Sequence, residues 1–238
     1  MDYILNAGLL ALLTAPLVAL ALWASPERQW GPAVLFLALL GVDDLATILP
    51  YAFETLEVVG GRWNWEGKML SIAWAALFLA VGPFSFREAG VTLNQKDGSL
   101  RTAVFATIAL TAASFGLGMA FQGGAFATET LAFQLTMPSL AEELAYRGVF
   151  FVLLYRAFPS RHGLDKSWPT LITAAAFGLW HGLSVSGGQV AFDGLSASFP
   201  FLGGLAYGWL RERTGSVLFP VLAHSLGNTA ALLGGLMT

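Results

Sequence analysis

The chain has 238 residues, 56% of them hydrophobic and only 11% charged, with a mean hydropathy of +0.66 and a formal net charge of −3. That balance belongs to polytopic membrane proteins rather than to soluble domains, and the lack of any basic run excludes nucleic acid as a partner. With no cysteine, a disulfide framework, a thiolate nucleophile and a Cys-ligated zinc site are excluded as well.

The first stretch, MDYILNAGLLALLTAPLVALALWA, lacks a positive leader and is as long as a bilayer crossing, so it is read as a retained first span over 3–24. Further apolar segments follow at 31–50, 67–84, 102–121, 139–158, 168–183, 194–210 and 216–237. In lipid each segment must satisfy its own backbone hydrogen bonds, so the sequence predicts an all-α, polytopic membrane helix bundle of about eight transmembrane helices around an intramembrane polar cavity. The sixth and seventh segments are short enough to be broken or re-entrant. The connections FREAGVTLNQKDGSLR, PSRHGLDKS and LRERTGS read as aqueous, and none is long enough for a soluble domain. A single transmembrane domain over 1–238 is expected, without internal repeats.

Basic residues set the expected orientation. The odd-numbered connections carry Arg28, then Arg87, Lys96 and Arg101, then Arg156, Arg161 and Lys166, then Arg211 and Arg213, against Arg62 and Lys68 on the even ones. This bias puts the odd connections in the cytoplasm and both termini outside.

Three apolar segments carry polar groups that lipid would not tolerate singly. In AEELAYRGVFFVLLYRAF, Glu143 and Arg147 are four apart, share a helix face and form a self-neutralising pair, which leaves Glu142 unpaired about 100° round the helix. Taken alone, Ser139 and Glu142 have the form of a capping box at a helix start. FGLWHG places His181 one turn after Phe177, and LAHSLGN places His224 one turn before Asn228. A lone intramembrane histidine is more often a helix–helix hydrogen-bonding residue than a catalyst. His162, in a polar connection, has a solvated role by default. Two histidines, an amide and a free carboxyl together point instead to a shared cavity. There Glu142 would take a proton from water, His181 would hold or polarise that water, and His224 with Asn228 would donate to the oxyanion of an attacked carbonyl. The same donors suit zinc, with Glu142, His181 and His224 as the ligand set, although no cofactor is required by the sequence.

These motifs, Glu142-Glu143-xxx-Arg147, Phe177-xxx-His181 and His224-xxx-Asn228, resemble in order and spacing those of the CPBP family of CAAX proteases and bacteriocin-processing enzymes. That family includes the type II CAAX prenyl endopeptidases and the abortive-infection proteins. The resemblance covers 139–238 well and the first four segments only in hydropathy. It implies an intramembrane endopeptidase, glutamate- or metal-dependent, in which Glu142 and His181 activate water, His224 and Asn228 form the oxyanion site, and Glu143, Arg147 and Phe177 support them. It also implies a bacterial plasma-membrane protein acting, as a monomer or weak oligomer, on a membrane-associated or lipid-modified peptide or protein substrate, with membrane lipid as its other partner. The orientation given by the basic residues opens the cavity extracytoplasmically, the wrong side for a cytosolic CAAX tail. Two other classes compete: a proton-coupled transporter, which would also keep titratable groups at depth, and a catalytically silent scaffold or immunity protein.

Three smaller features complete the reading. Asp43 and Asp44 inside the second segment are expected to interrupt the helix or serve an interface. Gly178-xxx-Gly182 and Gly204-xxx-Gly208 are expected to let helices approach within one chain. Trp23, Trp30, Trp63, Trp65 and Trp168 are expected to form an aromatic belt.

Overall fold

The computed structural model describes residues 2–121, 123–160 and 167–237; His162, Arg161 and Lys166 lie outside them. Each expected apolar segment is helical: α1 (Asp2–Ala24), α2 (Trp30–Ala52), α3 (Trp65–Val81), α4 (Leu100–Phe121), α5 (Thr128–Glu143), α6 (Phe151–Ala157), α7 (Trp168–Gly182), α8 (Gly194–Thr214) and α9 (Leu218–Gly235). α5 and α6 are joined by a π-helical stretch, Leu144–Phe150, into one continuous rod, so the described chain forms eight rods. Three helices, at Ile4–Ala24, Trp30–Ala52 and Leu100–Phe121, are long and apolar enough to cross a membrane by themselves. The others are short, like the 17-residue α3 and 15-residue α7, or carry the polar residues of the interior.

The bundle is polar inside and apolar outside, the arrangement that lipid as solvent selects. Asp43, Asp44, Lys68, Glu142, Glu143, Arg147, Arg211 and His224 are buried, while Leu12 and Ile108 are 65% and 59% exposed. The main apolar core joins α1, α2, α3, α6 and α7 through Phe36, Phe150, Leu153, Ile172 and Phe177, and a smaller one joins α4, α8 and α9 through Ala103, Leu210, Phe219 and Ala223.

Local chemistry sets the helix ends. The Asn64 side chain accepts from Gly67 N–H at the start of α3, and Asp193 accepts from Leu195 and Ser196 N–H at the start of α8, satisfying amides that a first turn leaves unpaired. Hydrogen bonding to Ser196 also holds the Asp193 carboxyl below its ordinary range. α8 stops at Gly215, whose φ of 75° reverses the chain into α9.

Several expectations change. The motif helix begins at Thr128, so Glu142 sits near its middle and Ser139, which donates to the Thr136 carbonyl, caps nothing. α8 runs unbroken past Pro200, and α7, though short, gives way to a β-hairpin, β1 (Leu183–Ser186) paired antiparallel with β2 (Gln189–Phe192), rather than a re-entrant loop. LRERTGS is mostly helix, and Arg211 within it is buried, donating to the Arg147 and Glu88 carbonyls. Trp23 and Trp30 are exposed, as belt residues would be, but Trp168 is buried beside Phe158. Trp63 and Trp65 pack on Phe133 and donate to Thr130 and Glu129, so they fasten the α2–α3 connection to α5.

Asp43 and Asp44 do not interrupt α2; they bind its neighbours. Asp43 accepts from Ser71 and Trp74 of α3 at 2.5 and 2.8 Å, and Asp44 accepts from Trp180 of α7 and Asn6 of α1 at 2.6 and 3.1 Å. The glycine pairs meet along the α7–α8 seam. A Cβ on Gly178 would come within 2.9 Å of Ala197 O and Phe201 Cβ, and one on Gly204 within 2.9 Å of the Ala174 Cα and 3.1 Å of the Arg147 guanidinium. Only a hydrogen side chain fits there.

Candidate active site

The expected pair on the motif helix is present: Arg147 Nη1 lies 3.2 Å from Glu143 Oε1, both side chains fully buried. The second guanidinium nitrogen donates to the Gly204 carbonyl at 3.0 Å, across the seam that glycine opens. The rings of Phe177, Tyr207 and Tyr146 surround the cation at 5.0, 5.5 and 5.7 Å, so hydrogen bonds and aromatic faces share the cost of its desolvation. The π winding of Leu144–Phe150 immediately after Glu143 is a local departure of the kind often found at functional sites.

Glu142 is not unpaired. Lys68 Nζ of α3 stands 2.8 Å from its Oε1, and both side chains are almost completely buried. Lys68 also sits 4.5 Å over the Trp180 ring, whose N–H is held by Asp44. A buried carboxylate requires a counter-charge, and this ammonium supplies it. Sequence reading placed Lys68 among loop residues; its position inside an apolar segment beside an otherwise lone Glu142 was the available signal. The second oxygen, Glu142 Oε2, is buried without a hydrogen-bond donor among the described residues. His224 Nε2 lies 3.7 Å from it, beyond direct hydrogen-bonding range.

His224 is oriented from its other side. Its Nδ1 is 2.8 Å from Glu143 Oε1, so with a carboxylate as acceptor Nδ1 carries the proton and Nε2 faces Glu142. The ring stacks on Tyr207 at 5.1 Å, and Phe177 meets it edge-on at 6.1 Å. Glu143 thus bridges Arg147 and His224 through one oxygen, a link that sequence spacing did not disclose. His181 is similarly fixed. Its Nδ1 lies 2.8 Å from the Phe177 carbonyl, which can only accept, so Nε2 is left as the acceptor. Phe177 and Trp180 flank the ring edge-on at 4.6 and 4.8 Å. Phe177 therefore touches both histidines. Asn228 donates one amide hydrogen to Gln134 Oε1 at 3.0 Å, which leaves its second hydrogen for another acceptor. Gln134 was not singled out by the sequence; it lies two helical turns before Glu142, where a polar residue on the same face was legible.

Glu142, His181, His224 and Asn228 all line one cavity of about 1050 Å³, together with Lys68 and Gln134. Phe177 lines it as well, whereas Glu143 and Arg147 stand behind it. On the other side the wall is apolar, formed by Leu110, Leu117 and Phe121 of α4 and by Phe199 and Leu202 of α8. The cavity therefore sets polar groups beside apolar lining.

The zinc expectation fits this arrangement poorly. Among the described residues no three His, Asp or Glu side chains are grouped so as to hold a metal ion. Glu142 Oε1 already faces an ammonium, which supplies the positive charge beside that carboxylate.

Residues 124–230 match the family model described as Type II CAAX prenyl endopeptidase Rce1-like. No curated protein and no solved structure matches the chain.

Proposed function

We propose that this chain, whose residues 124–230 match the Rce1-like family model, is an intramembrane endopeptidase that hydrolyses a peptide bond by glutamate-activated water. The observation that carries the reading is the division of labour on Glu142: one oxygen is held by Lys68, and the other faces His224 without a donor of its own among the described residues.

The chemistry follows from the donors and acceptors present. Glu142 Oε2 takes a proton from a water that also hydrogen-bonds to the free Nε2 of His181, and the resulting hydroxide adds to the substrate carbonyl carbon. The negative charge that develops on the carbonyl oxygen is met by the Asn228 amide hydrogen that Gln134 does not use. Neutral His224 presents an acceptor at Nε2; once it receives the Glu142 proton it becomes an imidazolium and donates to the same oxygen, with Glu143 holding its Nδ1–H. When the C–N bond breaks, that proton passes to the departing amine. Water is consumed, one carboxyl and one amine are formed, and Glu142 is returned as the carboxylate.

The apolar α4 and α8 walls favour substrates with hydrophobic residues or hydrocarbon next to the scissile bond. The test is to reconstitute the full-length protein in liposomes with a solubilised membrane-protein fraction in H₂¹⁸O. Products carrying ¹⁸O in their new C-terminal carboxyl with wild type, and none with Glu142→Gln, support the reading. Equal labelling with both proteins, or with neither, contradicts it.

A further inference from the structure

The cavity is walled by one end of the bundle. Its residues come from the second half of α2, the α2–α3 connection and the start of α3, then from the second half of α4, the first half of the α5–α6 rod, the end of α7, the first two thirds of α8 and the middle of α9 onward. Rods that cross a membrane in turn alternate in direction, so all these parts lie toward the end that carries the α2–α3, α4–α5 and α7–α8 connections.

Exposed basic residues gather at the opposite end. Arg28, Arg87, Lys96, Arg101, Arg156 and Arg213 are exposed there, whereas Arg62 alone is exposed at the cavity end among the described residues. Burial sharpens the comparison, because two residues that enter a plain sequence count drop out of it: Lys68 is buried against Glu142, and Arg211 is buried against Arg147. The bias of Lys and Arg near membrane-segment ends marks the cytosolic face, and acidic residues contribute little to it.

We infer that the cavity opens on the non-cytosolic face of the membrane, so that the enzyme acts on the non-cytosolic part of a membrane-anchored or exported polypeptide and not on a cytosolic tail. The nature of the substrate rests on the protease reading above; the direction of the opening does not.

The protein contains no cysteine, so single cysteines report sidedness directly. Val58, 86% exposed in the α2–α3 connection, marks the cavity end, and Leu93, 81% exposed between α3 and α4, marks the other. Ser114 lines the cavity from α4. Full-length V58C, L93C and S114C are produced in bacterial cells and treated with a charged, membrane-impermeant maleimide before and after permeabilisation. Labelling of V58C and S114C in intact cells, with L93C reacting only after permeabilisation, is the expected result. Labelling of L93C in intact cells, alone or together with V58C, overturns the inference, as does S114C staying protected while V58C reacts. Because labelling needs no catalysis, a reversed orientation with Glu142-dependent cleavage defeats only this inference, and the expected orientation without cleavage defeats only the protease reading.

Discussion

Lys68 on α3 and Glu142 on α5 form a buried ion pair at 2.8 Å across 74 residues of sequence. The pair ties the part of the chain outside the family match to the carboxylate proposed as the base.

Replacing Lys68 by Met leaves Glu142 without its counter-charge in the bundle interior, a change that costs about 3–5 kcal/mol. The thermal midpoint in detergent should fall, and kcat for any Glu142-dependent cleavage should drop on the order of 10- to 100-fold with KM little altered. Lys68→Arg, which keeps the charge, should recover most of the rate. The double variant Lys68→Met/Glu142→Gln should regain stability without activity, because neither charge is then left alone.

The Glu143–Arg147 pair makes a different prediction. Neither side chain is exposed, and Glu143 also holds His224 Nδ1. Arg147→Ala should lower stability by about 3–5 kcal/mol, measured as loss of folded protein on heating. Glu143→Gln should in addition impair catalysis in the fraction that stays folded, since the amide can present its nitrogen to His224 and release the ring from its orientation.

Asn228→Ala should reduce kcat by about 10²–10³-fold if its free amide hydrogen meets the oxyanion. Gln134→Ala removes only the acceptor that orients Asn228, so its effect should be smaller and in the same direction. Steady-state kinetics on one substrate for both variants checks the order. A Gln134 variant more damaged than the Asn228 one would reverse the assignment of roles.

Gly204→Val should fail to fold, because its Cβ already crowds the Ala174 backbone and the Arg147 guanidinium. Expression and size-exclusion profiles read this outcome directly. A well-folded variant would show that the α7–α8 seam can open without disturbing Arg147.

A strong zinc chelator should leave cleavage unchanged, because Lys68 already supplies the positive charge beside Glu142 and, among the described residues, no three donors are grouped so as to hold a metal ion. Loss of activity on chelation, restored by added zinc, would contradict that arrangement.

Much of the helix pattern was legible because most rods contain a long apolar run, and lipid leaves such a run no alternative to helix. The Glu143–Arg147 pair followed from spacing within one helix. Lys68 did not, since a contact between α3 and α5 leaves no periodic trace. The start of α5 at Thr128 was obscured by polar residues that lower its hydropathy: Gln134, which lines the cavity, Ser139, which is buried, and Thr136, which is exposed and donates to the Ala132 carbonyl of its own helix. The role of Asp43 and Asp44 was hidden for the same reason as Lys68: their Ser71, Trp74, Trp180 and Asn6 partners lie on three other helices.

The most direct test of the central claim is a comparison of new peptide termini in membranes and medium of cells producing wild type or Glu142→Gln at matched levels. The amide can still accept a hydrogen bond from Lys68 but cannot take a proton from water. Termini present only with wild type, from proteins shown to be made in both cultures, are the predicted result. Identical sets of termini in the two cultures would contradict the assignment of Glu142 as the base of a protease.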